Sequence, residues 1–223
     1  MFDRHPSARA APACAVAAAA FFVTLASVAP AAAHPHVWVE AKSEIVFDEA
    51  QRFAGIRQFW TFDEAYSALM TINLDGDKDG APDPDKLAEL AKTNLASIAE
   101  FEFFTHAKAN GKPVAFGAPE ALRQTFSEGR LHLEFLLPLK SPMAHPKVVV
   151  LSVNDPSFFV AFSLARGPDA VGLAGPKTGC ALNVTRPAQT AEVGKQIIAD
   201  EVAASAAPGV VGDYTSRAIL ACP

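Results

Sequence analysis

The sequence predicts a mostly antiparallel β fold, similar to a β-sandwich, with an EF-hand-like helix-loop-helix insertion and a late helix. Apolar and polar residues alternate through many short segments bounded by turn residues, which is typical of half-buried strands. The period changes to that of a helix after the second such segment, and again near the end of the chain. A two-layer α+β fold is the alternative architecture.

The strands are predicted from this alternation. The first two segments, 37–47 and 53–62, are expected to pair antiparallel across the turn between them. Asn110-Gly111 lies between two apolar runs and indicates a β-hairpin. Further strands are expected at 130–139, 147–153, 158–164, 180–184 and 214–222.

The helices of the insertion, at about 62–100, flank an acidic loop. The first is predicted over 62–73, with Thr61 and Glu64 in a T-x-x-E capping box at its start. The second is predicted over 84–100, with Pro84 in its first turn. The late helix is predicted over 191–206.

Residues 1–33 are predicted to be a cleaved signal peptide. Arg4 and Arg9 precede an uncharged, alanine-rich segment that ends in a small-residue cleavage site at Ala33. An uncleaved membrane anchor is the alternative. Cleavage would leave a single periplasmic domain, 34–223, with no later transmembrane segment and a formal net charge of −6. An acidic chain without a basic stripe argues against nucleic-acid partners.

Two cysteines, Cys180 and Cys222, remain after the predicted cleavage. Because exported proteins fold in an oxidising compartment, one disulfide between them is the simplest expectation. Two buried free thiols are the alternative.

The loop DGDKDGAPD, starting at Asp75, follows the spacing of an EF-hand calcium loop. Carboxylates at alternate positions can point at one hard cation, and Gly80 stands where that loop turns sharply. Lys86 replaces the bidentate Glu of position 12, which should weaken calcium binding, and a metal-free acidic turn is the alternative. The predicted calcium ligands are Asp75, Asp77, Asp79, the carbonyl of Ala81, and Asp83 directly or through water.

A second metal site is predicted at the new amino terminus. Cleavage after Ala33 would make His34 the first residue, and its α-amine and Nδ1 can then chelate one metal, with a third nitrogen from His36. Such nitrogen ligands suit Ni, Co, Zn or Cu. The fourth ligand stays open, with His106 and His132 as candidates. The alternative is a strand that happens to start with histidines.

The chain also resembles a known bacterial family of unknown function. The motifs that carry the resemblance are HPHVWVE, FWTFDEAYSA, DGDKDG, PVAFG, LHLEFLLPLKSP, DPSFFVAFSL and a late GC strand. That family is described as the periplasmic component of an uncharacterised ABC-type transport system, and its genes commonly lie beside nickel/cobalt exporter-type permeases. The resemblance implies export and a connection with metal transport. Lys86 departs from the acidic residue that is usual there.

The sequence therefore predicts a periplasmic metal-binding accessory protein that serves a membrane metal transporter or permease. A calcium-stabilised interaction domain without a transition metal is the second hypothesis. A copper-dependent enzyme with an amino-terminal histidine chelate is the third. The chain lacks G-x-S-x-G and H-E-x-x-H motifs and any evident nucleophile-base pair, so we expect no enzymatic activity.

Overall fold

A computed structural model describes residues 36–176, 179–186 and 215–223 of the chain. The strands form two β-sheets, which confirm the predicted β-sandwich-like class. Sheet A has the order β5-β6-β2-β1-β8, with β9 also paired to β1, and sheet B has the order β10-β11-β7-β3-β4. The strands are β1 (Val37–Phe47), β2 (Phe53–Phe62), β3 (Thr105–Ala109), β4 (Lys112–Pro113), β5 (Glu120–Ser127), β6 (Arg130–Met143), β7 (Val148–Val153), β8 (Val160–Leu164), β9 (Val171–Ala174), β10 (Ala181–Thr185) and β11 (Arg217–Ala221).

Sheet A is built around β1. The predicted antiparallel pairing of β1 with β2 is confirmed, with Val39 opposite Phe62 and Ile45 opposite Ile56. On its other edge, β1 pairs in parallel with β8 and then with β9. The hairpin at Asn110-Gly111 is also confirmed, because β3 and β4 pair antiparallel across it.

The core follows the alternation in the sequence. Along β6, Leu131, Leu133, Phe135 and Leu137 are buried and the residues between them are only partly buried. One part of the inner face of sheet A packs on sheet B, where Ile56 of β2 and Leu151 of β7 belong to the same apolar cluster. The other part packs on the helical insertion. Sheet A therefore supports the insertion directly.

The insertion consists of α1 (Glu64–Met70), α2 (Pro84–Ser97) and a 3-10 segment, Ala99–Phe104. Leu87, Ala91 and Leu95 form the buried face of α2. The buried Ser67 fixes α1 to sheet A, since its hydroxyl accepts a hydrogen bond from the Leu131 amide at 2.9 Å and donates to the Asp63 carbonyl.

The predicted capping box at Thr61 and Glu64 is wrong. Thr61 still belongs to β2, where it pairs with both Glu40 and His132, so the helix begins later. The N-cap is Asp63, whose Oδ1 accepts a hydrogen bond from the Tyr66 amide at 2.9 Å. The pairing of the strand therefore overrides the local capping signal.

The predicted disulfide is present. Cys180 and Cys222 join the start of β10 to the end of β11, two strands that already pair antiparallel. The predicted signal peptide, His34 and the predicted helix 191–206 lie outside the described residues. No helix within the described part of the chain is long and apolar enough to cross a bilayer.

Candidate metal site

The acidic loop lies between α1 and α2, as the sequence predicts. Residues 71–83 connect the two helices, and the Asp83 amide donates a hydrogen bond to the Leu74 carbonyl at 2.8 Å, which brings the two ends of the acidic segment together. Gly80 has φ of 93°, in the left-handed region that favours glycine. This is the sharp turn expected at position 6 of a calcium loop.

Three carboxylates converge at this loop. Asp75, Asp77 and Asp83 each offer one oxygen, and these oxygens lie within 4.8 Å of one another. Two oxygens that bind one calcium ion at about 2.4 Å cannot be more than about 4.8 Å apart. Among the described residues, no other group of three or more His, Cys, Asp or Glu side chains meets this spacing.

Backbone amides of residues 79 and 80 orient Asp75 and Asp77. Asp75 accepts hydrogen bonds from the amides of Asp79 and Gly80, at 3.2 and 3.1 Å. The Asp79 amide is shared with Asp77 Oδ1, at 3.3 Å. The amides therefore hold the two side chains on the inside of the turn, where they would face a cation.

Asp79 and Ala81 are placed differently. Asp79 Oδ1 accepts a hydrogen bond from the Ala81 amide at 2.9 Å, and Asp79 is not one of the three converging carboxylates. The proposed ligation by Asp79 and by the Ala81 carbonyl therefore stays a prediction. For Asp79 to bind the same cation, its carboxylate would have to move towards the group formed by Asp75, Asp77 and Asp83.

Lys86 is in contact with the site. Its Nζ lies 2.9 Å from Asp83 Oδ2, and the same oxygen accepts a hydrogen bond from the Gly76 amide at 3.2 Å. The hydrogen bond from Lys86 lowers the pKa of the Asp83 carboxyl, with smaller contributions from the Gly76 amide and the charge of Lys86. An ammonium group therefore already neutralises one of the three carboxylates.

The sequence shows that Lys86 stands where a calcium loop has a ligand, but its ion pair with Asp83 was not predicted from the sequence. The signal was present, because Asp83 and Lys86 are three residues apart across the start of a helix. Side chains with that spacing are neighbours on a helix surface. Lys86 would therefore compete with a cation for Asp83, in addition to supplying no carboxylate oxygen.

This set of ligands suits a hard divalent cation. Calcium and magnesium prefer carboxylate and carbonyl oxygens, and calcium tolerates irregular geometry. The first helix ends at Met70, so residues 71–74 separate it from Asp75. In this respect the motif departs from an EF-hand, in which the first helix leads directly into the loop.

Among the described residues, the histidines do not form a comparable cluster. His36 is exposed just before β1, with its ring 4.9 Å from that of Phe159, and its amide donates to the Phe159 carbonyl. His132 contacts the hydroxyls of Thr61 and Ser127, each at 3.1 Å. His106 lies in sheet B, 3.5 Å from Glu102. His34 lies outside the described residues, so the site that includes it stays a prediction.

A family model described as "Protein of unknown function (DUF1007)" matches residues 19–222. The match covers all three converging aspartates, Lys86, His36 and both cysteines. The comparisons with curated proteins and with solved structures found no match.

Proposed function

The chain belongs to the DUF1007 family, whose function is unknown, and we propose that it is a metal-binding accessory protein of the periplasm. Its loop at 75–83 binds a divalent cation, and calcium fits that loop best. Location in the periplasm rests on the signal-peptide pattern of residues 1–33. The role beside a membrane metal transporter rests on the family resemblance of the sequence.

The observation that supports this function is the convergence of Asp75, Asp77 and Asp83 within 4.8 Å. Three carboxylates so close together repel one another, and a divalent cation removes that repulsion. Among the described residues, Lys86 forms an ion pair with Asp83, and neither Asp75 nor Asp77 takes part in an ion pair. A cation in the loop therefore lowers the free energy of the folded state.

The affinity belongs at the weak end of the biological range. Position 12 supplies no oxygen, and a bound cation must displace Lys86 from Asp83 or tolerate it nearby. Extracellular calcium modules have dissociation constants of about 10⁻⁴ to 10⁻³ M. The cation therefore stabilises the loop between α1 and α2 and does not act as a signal.

Calorimetric titration of calcium into the mature protein tests this function. We expect one site in the wild type, and no measurable binding in the double variant Asp75→Asn/Asp77→Asn. The control is Asp85→Asn/Glu100→Gln, which makes the same change in net charge with exposed residues outside the cluster. Equal binding by the two double variants would show that the loop attracts calcium only by general charge.

A second candidate function is supported by the position of His36. Its exposed side chain stands immediately before β1, so a free amino terminus at His34 would lie two residues away. The α-amine, the His34 Nδ1 and a His36 nitrogen would then bind Ni, Co, Zn or Cu, and copper(II) should bind best in vitro. All three nitrogens must be deprotonated, so this affinity should fall as the pH drops from about 8 to 6.

One added residue tests the amino-terminal site. Extending the mature chain by a single Ala before His34 keeps both imidazoles but breaks the chelate of the amine with Nδ1. We expect the affinity for nickel and copper to fall at least about tenfold, because one ligand is lost. Equal affinities of the two forms, after amino-terminal sequencing has confirmed both starts, would exclude this site. Calcium binding at the loop should not change in either form.

A further inference from the structure

A cavity lies between the helical insertion and the inner face of sheet A. Its volume is about 380 Å³, within the range of about 300 to 1,000 Å³ that is typical of small-molecule sites. The cavity is distinct from the acidic loop, since none of the converging aspartates lines it. Seven of its sixteen lining residues are aromatic, and they include Trp60, Phe62, Tyr66, Phe101, Phe104 and Phe162.

The aromatic wall is held in fixed geometry by contacts between rings. Trp60 packs edge-on against Phe162 at 5.0 Å, and Phe162 in turn lies 5.5 Å from Phe104. Phe62 and Tyr66 stack at 4.9 Å. These rings come from β2, β8, α1 and the 3-10 segment, so a molecule in the cavity would touch several elements at once. Rigid aromatic walls favour flat apolar groups.

One polar group in this wall lacks a partner. Asn94 Nδ2 is buried and makes no hydrogen bond among the described residues. The amide lies near the Tyr66 hydroxyl and opposes the rise of its pKa, although the two groups do not meet the geometry of a hydrogen bond. Burial, and then the charge of Asp63, raise the pKa of Tyr66, so this hydroxyl is neutral at pH 7. Since Asn94 lines the cavity, a turn of this amide would present the unpaired donor to a ligand acceptor and remove the penalty of burying it without a partner.

The charge of the wall restricts the ligand further. Asp155 is 4% exposed, and its carboxylate accepts hydrogen bonds from the amides of Ser157 and Val160, at 2.8 and 3.0 Å. Among the described residues that line the cavity, none is Lys, Arg or His. An anionic ligand would therefore find no countercharge in this wall.

The backbone beside the cavity is strained. Glu102, Phe103 and Phe104 have φ of 53°, 53° and 50°, in the left-handed region that non-glycine residues rarely occupy. This segment places the Phe101 and Phe104 rings in the cavity wall, where they stack at 5.7 Å. Strain of this kind clusters at ligand sites because surrounding contacts must enforce it.

From these features we propose that the cavity binds a small, neutral, mostly apolar ring compound with one hydrogen-bond acceptor facing Asn94. The volume fits a molecule of this size and excludes a peptide helix, whose diameter with side chains is about 10 to 12 Å. Aromatic rings contact the apolar part of the ligand, and Asn94 Nδ2 donates to its carbonyl or ether oxygen. This binding function is separate from metal binding.

A matched pair of fluorescent probes tests the proposal on the mature protein. The first is 6-propionyl-2-dimethylaminonaphthalene, a neutral aromatic ketone, and the second is 2-dimethylaminonaphthalene, which lacks the ketone. We expect saturable binding of the ketone at one site, with a blue shift of its emission. Probe emission that rises in proportion to the protein concentration, without saturation, would overturn the proposal.

Two variants on α2 locate the probe. Ser97→Phe fills the cavity from an exposed lining position and should abolish saturable binding. Ala96→Phe adds the same ring at the neighbouring exposed position, which does not line the cavity, and should bind the probe like the wild type. Circular dichroism establishes that both variants fold. Unchanged binding by Ser97→Phe would place the probe elsewhere and overturn the proposal.

A third variant tests the hydrogen bond. Asn94→Leu removes the donor and keeps a side chain of similar size. The dissociation constant of the ketone probe should rise by roughly 3- to 10-fold, as expected for the loss of one hydrogen bond. The affinity of the probe without a ketone should stay within about twofold. An equal loss of affinity for both probes would show that Asn94 only shapes the cavity. That result would overturn the assignment of a ligand with a hydrogen-bond acceptor.

Discussion

Lys86 Nζ lies 2.9 Å from Asp83 Oδ2, at the position where a calcium loop ordinarily supplies a bidentate Glu. The same Nζ also lies close over Gly76, where an added Cβ would come within 2.7 Å of it. The ammonium therefore stands beside the three converging carboxylates as an internal counter-ion. A calcium ion bound as proposed would therefore compete with Lys86 for Asp83.

Replacing Lys86 by Glu should strengthen calcium binding. Lys86→Glu removes the competing charge and offers two further oxygens, so the dissociation constant for calcium should fall by at least about tenfold. The control is Lys92→Glu, which makes the same charge change on the exposed face of the same helix. Calorimetry on both variants measures the difference. If both variants gained the same calcium affinity, the general charge of α2 would explain the gain. The position of Lys86 would then be irrelevant.

The pair also predicts the titration of Asp83. Its folded-state pKa is held below the ordinary value of 3.8, chiefly by the hydrogen bond from Lys86. A carboxyl group whose pKa is lowered by folding stabilises the folded state at pH values above its unfolded-state pKa. This contribution is lost as the pH falls through the folded-state pKa. Lys86→Met should therefore raise the pKa of Asp83, which NMR of the carboxyl carbons in calcium-free buffer can follow. An unchanged pKa would mean that the contact does not persist in solution.

The alternation of apolar residues was enough to predict much of the sheet structure. The side chains of β6 illustrate the reason, because Leu131 to Leu137 keep one parity through a long strand and all face the core. Parity does not identify the neighbour of a strand, however. The parallel pairing of β8 with β1 joins residues that are more than a hundred positions apart, and no local pattern encodes it.

The two candidate sites also differ in how far they could be predicted from the local sequence. The acidic loop was predictable because Asp75, Asp77 and Asp83 lie within nine consecutive residues of one turn. The aromatic cavity was not, because Tyr66, Asn94 and Asp155 come from three separate segments and meet only after the insertion packs on sheet A. At Thr61 the capping signal was misleading, because this residue belongs to β2 and pairs with strands on both sides.

The anchoring of α1 by Ser67 predicts a measurable loss of stability. Ser67→Ala leaves the buried amide of Leu131 without its hydrogen bond, which should lower the free energy of unfolding by about 1 to 3 kcal/mol. Ser97→Ala, which truncates an exposed hydroxyl on α2, should change it by less than about 0.5 kcal/mol. Urea denaturation of both variants measures the difference. A loss no larger in Ser67→Ala than in Ser97→Ala would contradict the anchoring role.

The disulfide predicts both a thiol count and a stability change. The mature protein, denatured without reductant, should show no free thiol, because Cys180 and Cys222 are bonded. For a sequence separation of 42, the chain-entropy model gives roughly 4 kcal/mol of stabilisation. The double variant Cys180→Ser/Cys222→Ser should therefore unfold at lower urea concentration, and reduced wild type should match it. Two free thiols per chain in the unreduced protein would contradict the bond.

Crystallography of the mature protein with calcium, using anomalous scattering, tests the metal site most directly. The expected result is one anomalous peak in the loop, about 2.3 to 2.6 Å from oxygens of Asp75, Asp77 and Asp83. Lys86 Nζ should then have moved away from Asp83 Oδ2, since the cation takes over its role. An empty loop at millimolar calcium, with Lys86 still paired to Asp83, would contradict calcium binding by this chain.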